Sequence, residues 1–257
     1  MDFLKRLEKE IDDEERGKKS AKKPSKSSAS IQNIYEKIPK DMILKSENPN
    51  VALHNMHPPF RACVVAPSGA GKTNFIVDMI AKFSAPPRGT FNTITIVTRN
   101  ADEPLYNFLK SKDDGIVIKE GLSNLPNLDS YDKDLQHLVV IDDLVLSKNQ
   151  DRVASYYIRC RKLNVSVCYL SQSYFSIPKI IRQNSNYLIL LKLSGDRELK
   201  LILSEGGLGI DKEELLKLYN YATKEKFSPL FVDYEKDASQ RFRKGYHEIL
   251  SPSSSSD

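Results

Sequence analysis

The sequence contains no apolar segment that approaches the roughly 20 residues needed to cross a bilayer, so we expect no membrane span. Its first residues, MDFLKRLEKEIDDEERGKK, lack the apolar centre of a secretory signal peptide. The chain has only three cysteines, Cys63, Cys160 and Cys168, and their spacing does not match a metal site. We therefore expect an intracellular protein whose thiols are reduced and packed in the interior.

Neither positive nor negative charge is in large excess. The 257 residues carry a net charge of +5, and 28% of them are charged, which is close to the share in ordinary soluble proteins. Such a charge permits a polyanionic partner without requiring one. With 40% hydrophobic residues, the chain can bury one α/β core with extensions, or at most two small domains.

Residues 1–50 predict an extension that precedes the core. Residues 2–15 place apolar side chains at helical spacing, which predicts an amphipathic segment. The next stretch, RGKKSAKKPSKSSAS, has six basic residues and no acidic residue, which indicates a flexible linker. A solvated tether is favoured over a basic arm that contacts DNA or a partner.

Residues 51–205 predict the core, an α/β fold with a mainly parallel sheet flanked by helices, because β-branched runs alternate with helical patterns. Strands are predicted at 61–67, 92–99, 115–121, 137–143, 165–172 and 187–193. Helices are predicted at 72–83, 102–111, 149–162 and 196–205. Continuous apolar runs such as LVVI and YLILL are typical of strands that are buried on both faces.

Residues 206–250 predict a helical and strand extension after the core. Asp211 is expected to cap a helix, and SPLFVDY, residues 228–234, predicts one more strand at a sheet edge. The remaining residues, 251–257, predict a disordered tail.

The segment APSGAGKT, residues 66–73, lies between a predicted strand and a predicted helix, as a phosphate-binding loop must. Backbone N–H groups of residues 69–73 would surround a β-phosphate at the helix N-terminus. Lys72 would reach the β- and γ-phosphate oxygens, and Thr73 would offer its hydroxyl to Mg²⁺. The residues predicted to bind the nucleotide are Pro67, Ser68, Gly69, Ala70, Gly71, Lys72, Thr73 and Asn74.

Ala66 stands where this loop usually opens with glycine. Its methyl group is tolerable if its φ stays negative. Gly69 and Gly71 lie where positive φ values are expected. We therefore expect the loop to keep its function.

The run LVVIDD, residues 138–143, is an apolar strand that ends in two aspartates. Asp142 is expected to bind Mg²⁺ directly or through water. Asp143 is the candidate base that orients the attacking water, although it is one methylene shorter than the glutamate that is commoner there. In the same sheet as a phosphate loop, this pair predicts hydrolysis of a nucleoside triphosphate.

The predicted strand that follows carries further candidates. Gln172 lies at its tip, where the amide could hydrogen-bond a γ-phosphate or the attacking water. Ahead of the strand, Arg161 is a candidate arginine finger that would project across a subunit boundary. Arg159 and Arg182 are weaker candidates for that role. The alternative is that these cations only interact with a helix C-terminus.

The order of the motifs favours one branch of nucleotide-binding proteins. The predicted strands 92–99 and 115–121 lie between the loop and the aspartate pair. An extra strand between the two motif-bearing strands is typical of ATPases with an additional catalytic acid. The sequence has no Asn-Lys-x-Asp motif for reading guanine, which counts against a GTPase.

Three segments, APSGAGKT, LVVIDD and RKLNVSVCYLSQSYFSIPKIIRQNS, together resemble the poxvirus-type DNA-packaging ATPases. These enzymes are encoded by large nucleocytoplasmic DNA viruses and their virophages, and they belong to the FtsK–HerA superfamily of P-loop motors. The resemblance covers roughly residues 50–205, and the segment 161–187 is its most specific part.

The resemblance implies a RecA-like core, a pentameric or hexameric ring, and ATP-driven movement of double-stranded DNA into a capsid through its portal or vertex proteins. It implies that Lys72 and Thr73 contact nucleotide and metal, that Asp142 binds Mg²⁺, and that Asp143 is the catalytic carboxylate. It also implies that Gln172 senses the nucleotide and that an arginine just before its strand is the finger. The expected location is the host cytoplasm, at the virus factory, or the virion.

Two other functions stay open from the residues. One is an AAA+-like or helicase-type ATPase in replication, and the other is a nucleotide-gated assembly protein with weak hydrolysis. Beyond the resemblance, DNA binding is supported only by basic residues in the second half of the chain. They are Lys179, Arg182, Lys192, Arg197, Lys200, Arg241, Arg243 and Lys244.

Overall fold

The structure, a computed structural model, describes residues 33–39 and 42–252. The chain divides into two compact units, residues 1–43 and 44–257. In the first unit, a 3₁₀ turn spans Ile34–Lys37. The predicted amphipathic segment and basic linker lie outside the described residues, as does most of the predicted tail.

Within the described part of the second unit, nine strands form one sheet in the order β3-β2-β4-β5-β1-β6-β7-β8-β9. The strands are β1 Arg61–Val65, β2 Thr93–Thr98, β3 Ile116–Glu120, β4 His137–Asp142, β5 Val165–Ser171, β6 Tyr187–Leu190, β7 Leu230–Asp233, β8 Phe242–Lys244 and β9 Glu248–Leu250. The first six pair in parallel, and β7, β8 and β9 add antiparallel to β6. The α/β fold with a mainly parallel sheet is therefore confirmed.

The helices cover both faces of the sheet. They are α1 Val51–His54, α2 Lys72–Phe83, α3 Pro104–Lys110, α4 Gln150–Arg159, α5 Lys179–Asn184, α6 Asp196–Gly206, α7 Lys212–Ala222 and α8 Ala238–Arg241. Side chains of α2 and α3 pack with Leu138 and Val140 of β4 on one face. Those of α4 to α7 pack with Val139 and Ile141 on the other, because alternate residues of a strand point to opposite faces.

The predicted extra strand between the two motif-bearing strands is present, but its identity differs from the sequence order. β5 lies between β1 and β4, whereas β2 and β3 lie beyond β4. Crossovers run through helices on both faces, so strands that are consecutive in the chain need not be neighbours in the sheet. The two candidate strands 92–99 and 115–121 are real but do not separate the motifs.

The strand predicted at residues 228–234 is present as β7, but its predicted position at a sheet edge was wrong. β7 pairs with β6 on one side and with β8 on the other. β8 and β9 have three residues each, which is too short for a period-two pattern to be visible. These strands continue the sheet of the core, while the domain boundary at 205/206 stays a prediction.

Local details agree with the sequence patterns elsewhere. The Asp211 side chain accepts a hydrogen bond of 2.8 Å from the backbone N–H of Glu214 and so caps α7. All three cysteines are free and buried, as expected for packed thiols, and burial raises the pKa of the Cys63 thiol to about 11. Among the described residues, no helix has the length and apolar character to cross a bilayer.

Candidate active site

The carboxyl ends of β1, β4 and β5 meet at one edge of the sheet. In the parallel register, Val65 of β1 lies opposite Ser171 of β5, and Asp142 of β4 lies opposite Leu170. The phosphate loop, Asp143 and Gln172 follow directly after Val65, Asp142 and Ser171. Ligands of open parallel sheets bind at this edge, so the topology brings the predicted motifs together.

The phosphate loop has the backbone that its glycines were expected to provide. Gly69 and Gly71 have φ values of 76° and 99°, which only glycine adopts without strain. Ala66 has no positive φ, and its N–H donates to the Ser171 carbonyl over 3.1 Å. The alanine therefore continues the pairing of β1 with β5 and leaves the loop geometry intact.

Lys72 is the first residue of α2, and its ammonium group folds back onto the loop. Nζ donates to the carbonyl oxygens of Ala66 at 2.6 Å and of Pro67 at 3.2 Å. Burial lowers the pKa of Lys72, while the charges of Asp142 and Asp143 act in the opposite direction. The cation is thus held by neutral acceptors that an anionic phosphate could replace.

Asp142, the last residue of β4, is buried beside this lysine. Its Oδ2 accepts a hydrogen bond of 2.8 Å from the hydroxyl of Tyr106. Burial, helped by the charges of Glu103 and Asp143, raises the pKa of Asp142 to about 6, although the Tyr106 hydrogen bond and the Lys72 charge oppose the rise. A nearby cation would therefore favour the ionised carboxylate.

Tyr106 is a site residue that sequence reasoning missed. It lies on α3 and is fully buried. Burial and the hydrogen bond to Asp142 raise its pKa, and contact with the Thr73 side chain acts in the opposite direction. Its hydroxyl is thus close to both residues that were predicted to bind Mg²⁺. The only sequence signal was an aromatic residue in a short helix, which is typical of any core.

Asp143 turns toward the same site instead of pointing to the opposite face. Its φ is 52°, a left-handed conformation that aspartate tolerates better than most residues. Its Oδ1 accepts a hydrogen bond of 3.2 Å from Nε2 of Gln172. The structure therefore brings the candidate base and the candidate sensor into direct contact.

The loop after Asp143 is braced by a side chain that sequence analysis did not single out. Nε2 of Gln150, the first residue of α4, donates to the carbonyl oxygens of Leu144 at 2.6 Å and Ser147 at 3.1 Å. Oε1 of Gln150 accepts from the Tyr169 hydroxyl of β5 at 2.9 Å. This bridge ties the loop that carries the candidate base to the strand that carries Gln172.

A second brace holds the loop after Gln172. The carboxylate of Glu198 on α6 accepts from the Ser173 hydroxyl at 2.6 Å and from the Tyr174 N–H at 2.8 Å. Positions next to Gln172 are thus anchored to a helix on one face of the sheet. No local motif marks Glu198, because its partners lie 24 and 25 residues away.

The three candidate finger arginines do not reach this site within their own chain. Arg161 is exposed in the 3₁₀ turn Cys160–Leu163, which precedes β5 and therefore lies at the opposite end of the sheet from Gln172. Arg159 pairs with Asp129, and Arg182 pairs with Glu205. Of the three, only Arg161 has no ion pair with another described residue, and a role in catalysis would require a neighbouring subunit.

The structure corrects part of the basic set that was taken to support DNA binding. Arg243 is only 3% exposed, and its Nη1 donates to the Asn55 and Tyr246 carbonyl oxygens. Arg241 donates to the Gly207 and Leu208 carbonyl oxygens. Arg182 and Lys244 are held in ion pairs. The exposed members are Lys179, Lys192, Arg197 and Lys200.

A protein-family model described as Poxvirus A32 protein matches residues 52–229. No curated protein sequence matches the chain. The genome packaging NTPase B204 from Sulfolobus turreted icosahedral virus 2, solved with AMP, is 15% identical with a TM-score of 0.53. That match covers 76% of this chain and 100% of that chain.

Two other solved structures match with similar scores. The DNA-packaging ATPase B204 from Sulfolobus turreted icosahedral virus is 13% identical with a TM-score of 0.52, over 74% of this chain and 98% of that chain. EssC (ATPases 2 and 3) from Geobacillus thermodenitrificans is 10% identical with a TM-score of 0.51, over 78% of this chain and 41% of that chain. At these identities the likeness establishes the fold of P-loop NTPases.

Proposed function

Because the chain belongs to the poxvirus A32 protein family, we propose that it is an ATP-driven motor that moves double-stranded viral DNA into a preformed capsid. One observation carries the ATPase part of this proposal. Lys72, Asp142 and the hydrogen-bonded pair of Asp143 and Gln172 converge at one sheet edge from three neighbouring strands. Support for DNA packaging comes from the family and from the matching viral structures, which are those of a genome packaging NTPase and a DNA-packaging ATPase.

In the proposed reaction, Lys72 would leave the carbonyl oxygens of Ala66 and Pro67 to contact the β- and γ-phosphate oxygens of ATP. Asp143 would accept the proton of the water that attacks the γ-phosphorus, while Gln172 fixes the orientation of that carboxylate. The new bond joins water oxygen to the γ-phosphorus, and the bond to the β–γ bridging oxygen breaks. The products are ADP and phosphate.

The Thr73 hydroxyl and the Asp142 carboxylate are hard oxygen ligands of the kind that suits Mg²⁺. When bound, Mg²⁺ would neutralise charge on the phosphate oxygens. Tyr106 would hold the Asp142 carboxylate in place through its other oxygen. The residues present therefore fit the ion that the fold implies.

A ring of subunits would complete this site. Arg161 is exposed at the far end of β5, where it could reach only the nucleotide of a neighbouring subunit. Its guanidinium would stabilise the negative charge of the transition state. A pentamer or hexamer, contact with capsid portal or vertex proteins, and a location at the virus factory or in the virion all belong to this proposal.

The decisive experiment measures ATP turnover with and without duplex DNA over a series of salt concentrations. Sizing of the assembly with a non-hydrolysable nucleotide is run in parallel. We expect duplex DNA to stimulate turnover, and we expect the stimulation to fall steeply as salt rises, because contacts to phosphates release counterions. The nucleotide should also produce a ring.

Three other outcomes would contradict the proposal. Stimulation that is absent or indifferent to salt would argue against a motor that tracks duplex DNA. Strand separation on a forked substrate would favour a replication ATPase. Binding of ATP without turnover would favour a nucleotide-gated assembly protein.

A further inference from the structure

The chain that follows α7 passes over the phosphate loop before it enters β7. A Cβ at Gly71 would clash with Cδ1 and Cε1 of Phe227, whereas it would lie 3.6 Å from Cγ. The phenyl ring therefore meets the loop by its Cδ1–Cε1 edge. Contact at the edge leaves the faces of the ring directed away from Gly71.

Phe227 has an unfavourable backbone conformation and an exposed aromatic ring. Its φ is 65°, a left-handed backbone conformation that is strained for a bulky residue. Its side chain is 44% exposed, and it makes no ring contact with another aromatic residue in the described part of the chain. Strained residues of this kind are enriched at ligand sites, which makes the surroundings of Phe227 a place to look for one.

The base of a bound nucleotide would lie on the same side of β1 as Phe227. Asp143 and Gln172, which would act at the γ-phosphate, follow β4 and β5, on one side of β1. The rest of the nucleotide must then extend toward the other side of β1, where β6, β7 and β8 lie. Phe227 precedes β7, so it lies on the side that the base would reach.

Two cavities flank the ring, and their linings differ. One, of about 320 Å³, is lined by the loop tip and by four charged residues, which include Lys192 and Lys226. The other, of about 540 Å³, lies along α2 between Asn74 and Lys82 and is walled by Phe75, Tyr246 and Phe227 itself. Both volumes are within the range of about 300–1,000 Å³ for ligand pockets, but an aromatic base suits the second cavity, because aromatic rings form part of its wall.

We propose that Phe227 is the stacking platform for the purine base of the bound nucleotide, in the cavity between this ring and α2. The inference rests on the proposed function only in that a nucleoside triphosphate occupies the phosphate loop. The phosphate loop would then bind the phosphates through residues 69–73. Phe227, which contacts Gly71 of that loop, would bind the base.

The experiment compares two ligands that share phosphates but not a base, ATP and inorganic tripolyphosphate. In Phe227→Ala we expect the Kd for ATP to rise about tenfold or more, since a stacked base contributes substantially to binding. The Kd for tripolyphosphate should not change. The matched control is Phe108→Ala on α3. Phe108 is 53% exposed, and Lys112 Nζ lies 4.9 Å from its ring centroid, as Lys226 Nζ does for Phe227.

Two further variants separate stacking from a structural role. Phe227→Gly relieves the strain at φ 65°, so it should fold at least as stably as the parent and still bind ATP more weakly. The sequence contains no tryptophan, so Phe227→Trp introduces a single tryptophan, which can be excited separately from the tyrosines. Its emission should change with ATP and not with tripolyphosphate, while Phe108→Trp should respond to neither.

The outcomes distinguish this inference from the proposed function. Equal ATP affinity in the parent, Phe227→Ala and Phe227→Gly would overturn the stacking role while leaving nucleotide binding intact. Equal losses for ATP and tripolyphosphate would also overturn it, because the ring would then only shape the loop. Failure of the parent protein to bind either ligand would instead overturn the proposed ATPase.

Discussion

The hydroxyl of Tyr106 donates a hydrogen bond to Oδ2 of Asp142 across 2.8 Å in the interior of the protein. Groups that orient a metal ligand commonly contribute about 10–100-fold to metal affinity. In Tyr106→Phe we therefore expect the Mg²⁺ concentration for half-maximal turnover to rise about tenfold, with a smaller change in kcat. The Mg²⁺ dependence of fluorescent nucleotide binding gives the same comparison without turnover.

Tyr156→Phe is the matched control for this substitution. Its hydroxyl donates to the Pro126 carbonyl at 2.9 Å, and the side chain packs on the other face of the sheet. An equal shift in the Mg²⁺ dependence of both variants would show that removal of the Tyr106 hydroxyl acts through general packing and not through Asp142.

Asp143→Asn tests the candidate base. The amide cannot accept a proton from water, so we expect turnover to fall about 10²–10⁴-fold while the Kd for ATP changes little. Gln172→Ala should give a smaller loss, since it frees the Asp143 carboxylate without removing it. Turnover of Asp143→Asn at the rate of the parent would contradict the mechanism. Asp129→Asn, in the exposed pair with Arg159, is the control.

Arg161 can be tested by mixing two inactive proteins. Arg161→Ala should lose about 10³-fold or more in kcat if it is an arginine finger. Combined in equal amounts with Asp143→Asn, it should recover activity at about one quarter of the sites, where an intact Asp143 meets an intact Arg161 across a heterologous interface. If mixed rings form but activity does not recover, Arg161 does not act on the nucleotide of a neighbouring subunit.

The raised pKa of Asp142 predicts a pH-dependent stability difference. Burial raises this pKa to about 6 in the folded chain, above the value near 4 of an unfolded aspartate. The group therefore stabilises the fold below about pH 4, and this contribution is lost as pH rises through 6. Without nucleotide and Mg²⁺, Asp142→Asn should be more stable than the parent at pH 7.5 by up to about 3 kcal/mol.

Urea unfolding at several pH values checks this expectation, and the difference from the parent should narrow as pH falls from 7.5 toward 4. Asp134→Asn serves as the control, because Asp134 is exposed at the other end of β4. A stability gain that does not vary with pH would show that the Asp142 charge is not its cause.

Much of the fold was predictable because its signals are local. The run at 138–143 is apolar without interruption, and the loop at 66–73 has its glycines where the backbone needs positive φ. The position of β5 between β1 and β4 was not predictable from such signals, since crossovers and not adjacency in the chain determine strand order. The strands β8 and β9 were missed because three residues cannot display a period.

Some residues of the candidate site could also be predicted from local signals, and others could not. Residues at strand tips, such as Asp142 and Gln172, could be found because the position itself indicates a role. Tyr106 and Glu198 could not, because each belongs to an ordinary helical pattern and acquires its role from a partner far away in sequence. Arg243 was wrongly included among the residues that support DNA binding. Its charge suggests an exposed side chain, but it is buried beside Asp233.

Both ends of β5 carry residues with proposed roles, Arg161 before it and Gln172 after it. The strand is seven residues long, about 20 Å at the usual rise, and it is hydrogen-bonded along both edges. Such a strand resists stretching, so a displacement of the whole strand would move both of its tips together. In the proposed ring, a displacement of β5 on loss of the γ-phosphate would move Arg161 relative to the nucleotide of the neighbouring subunit, which would couple hydrolysis in adjacent subunits.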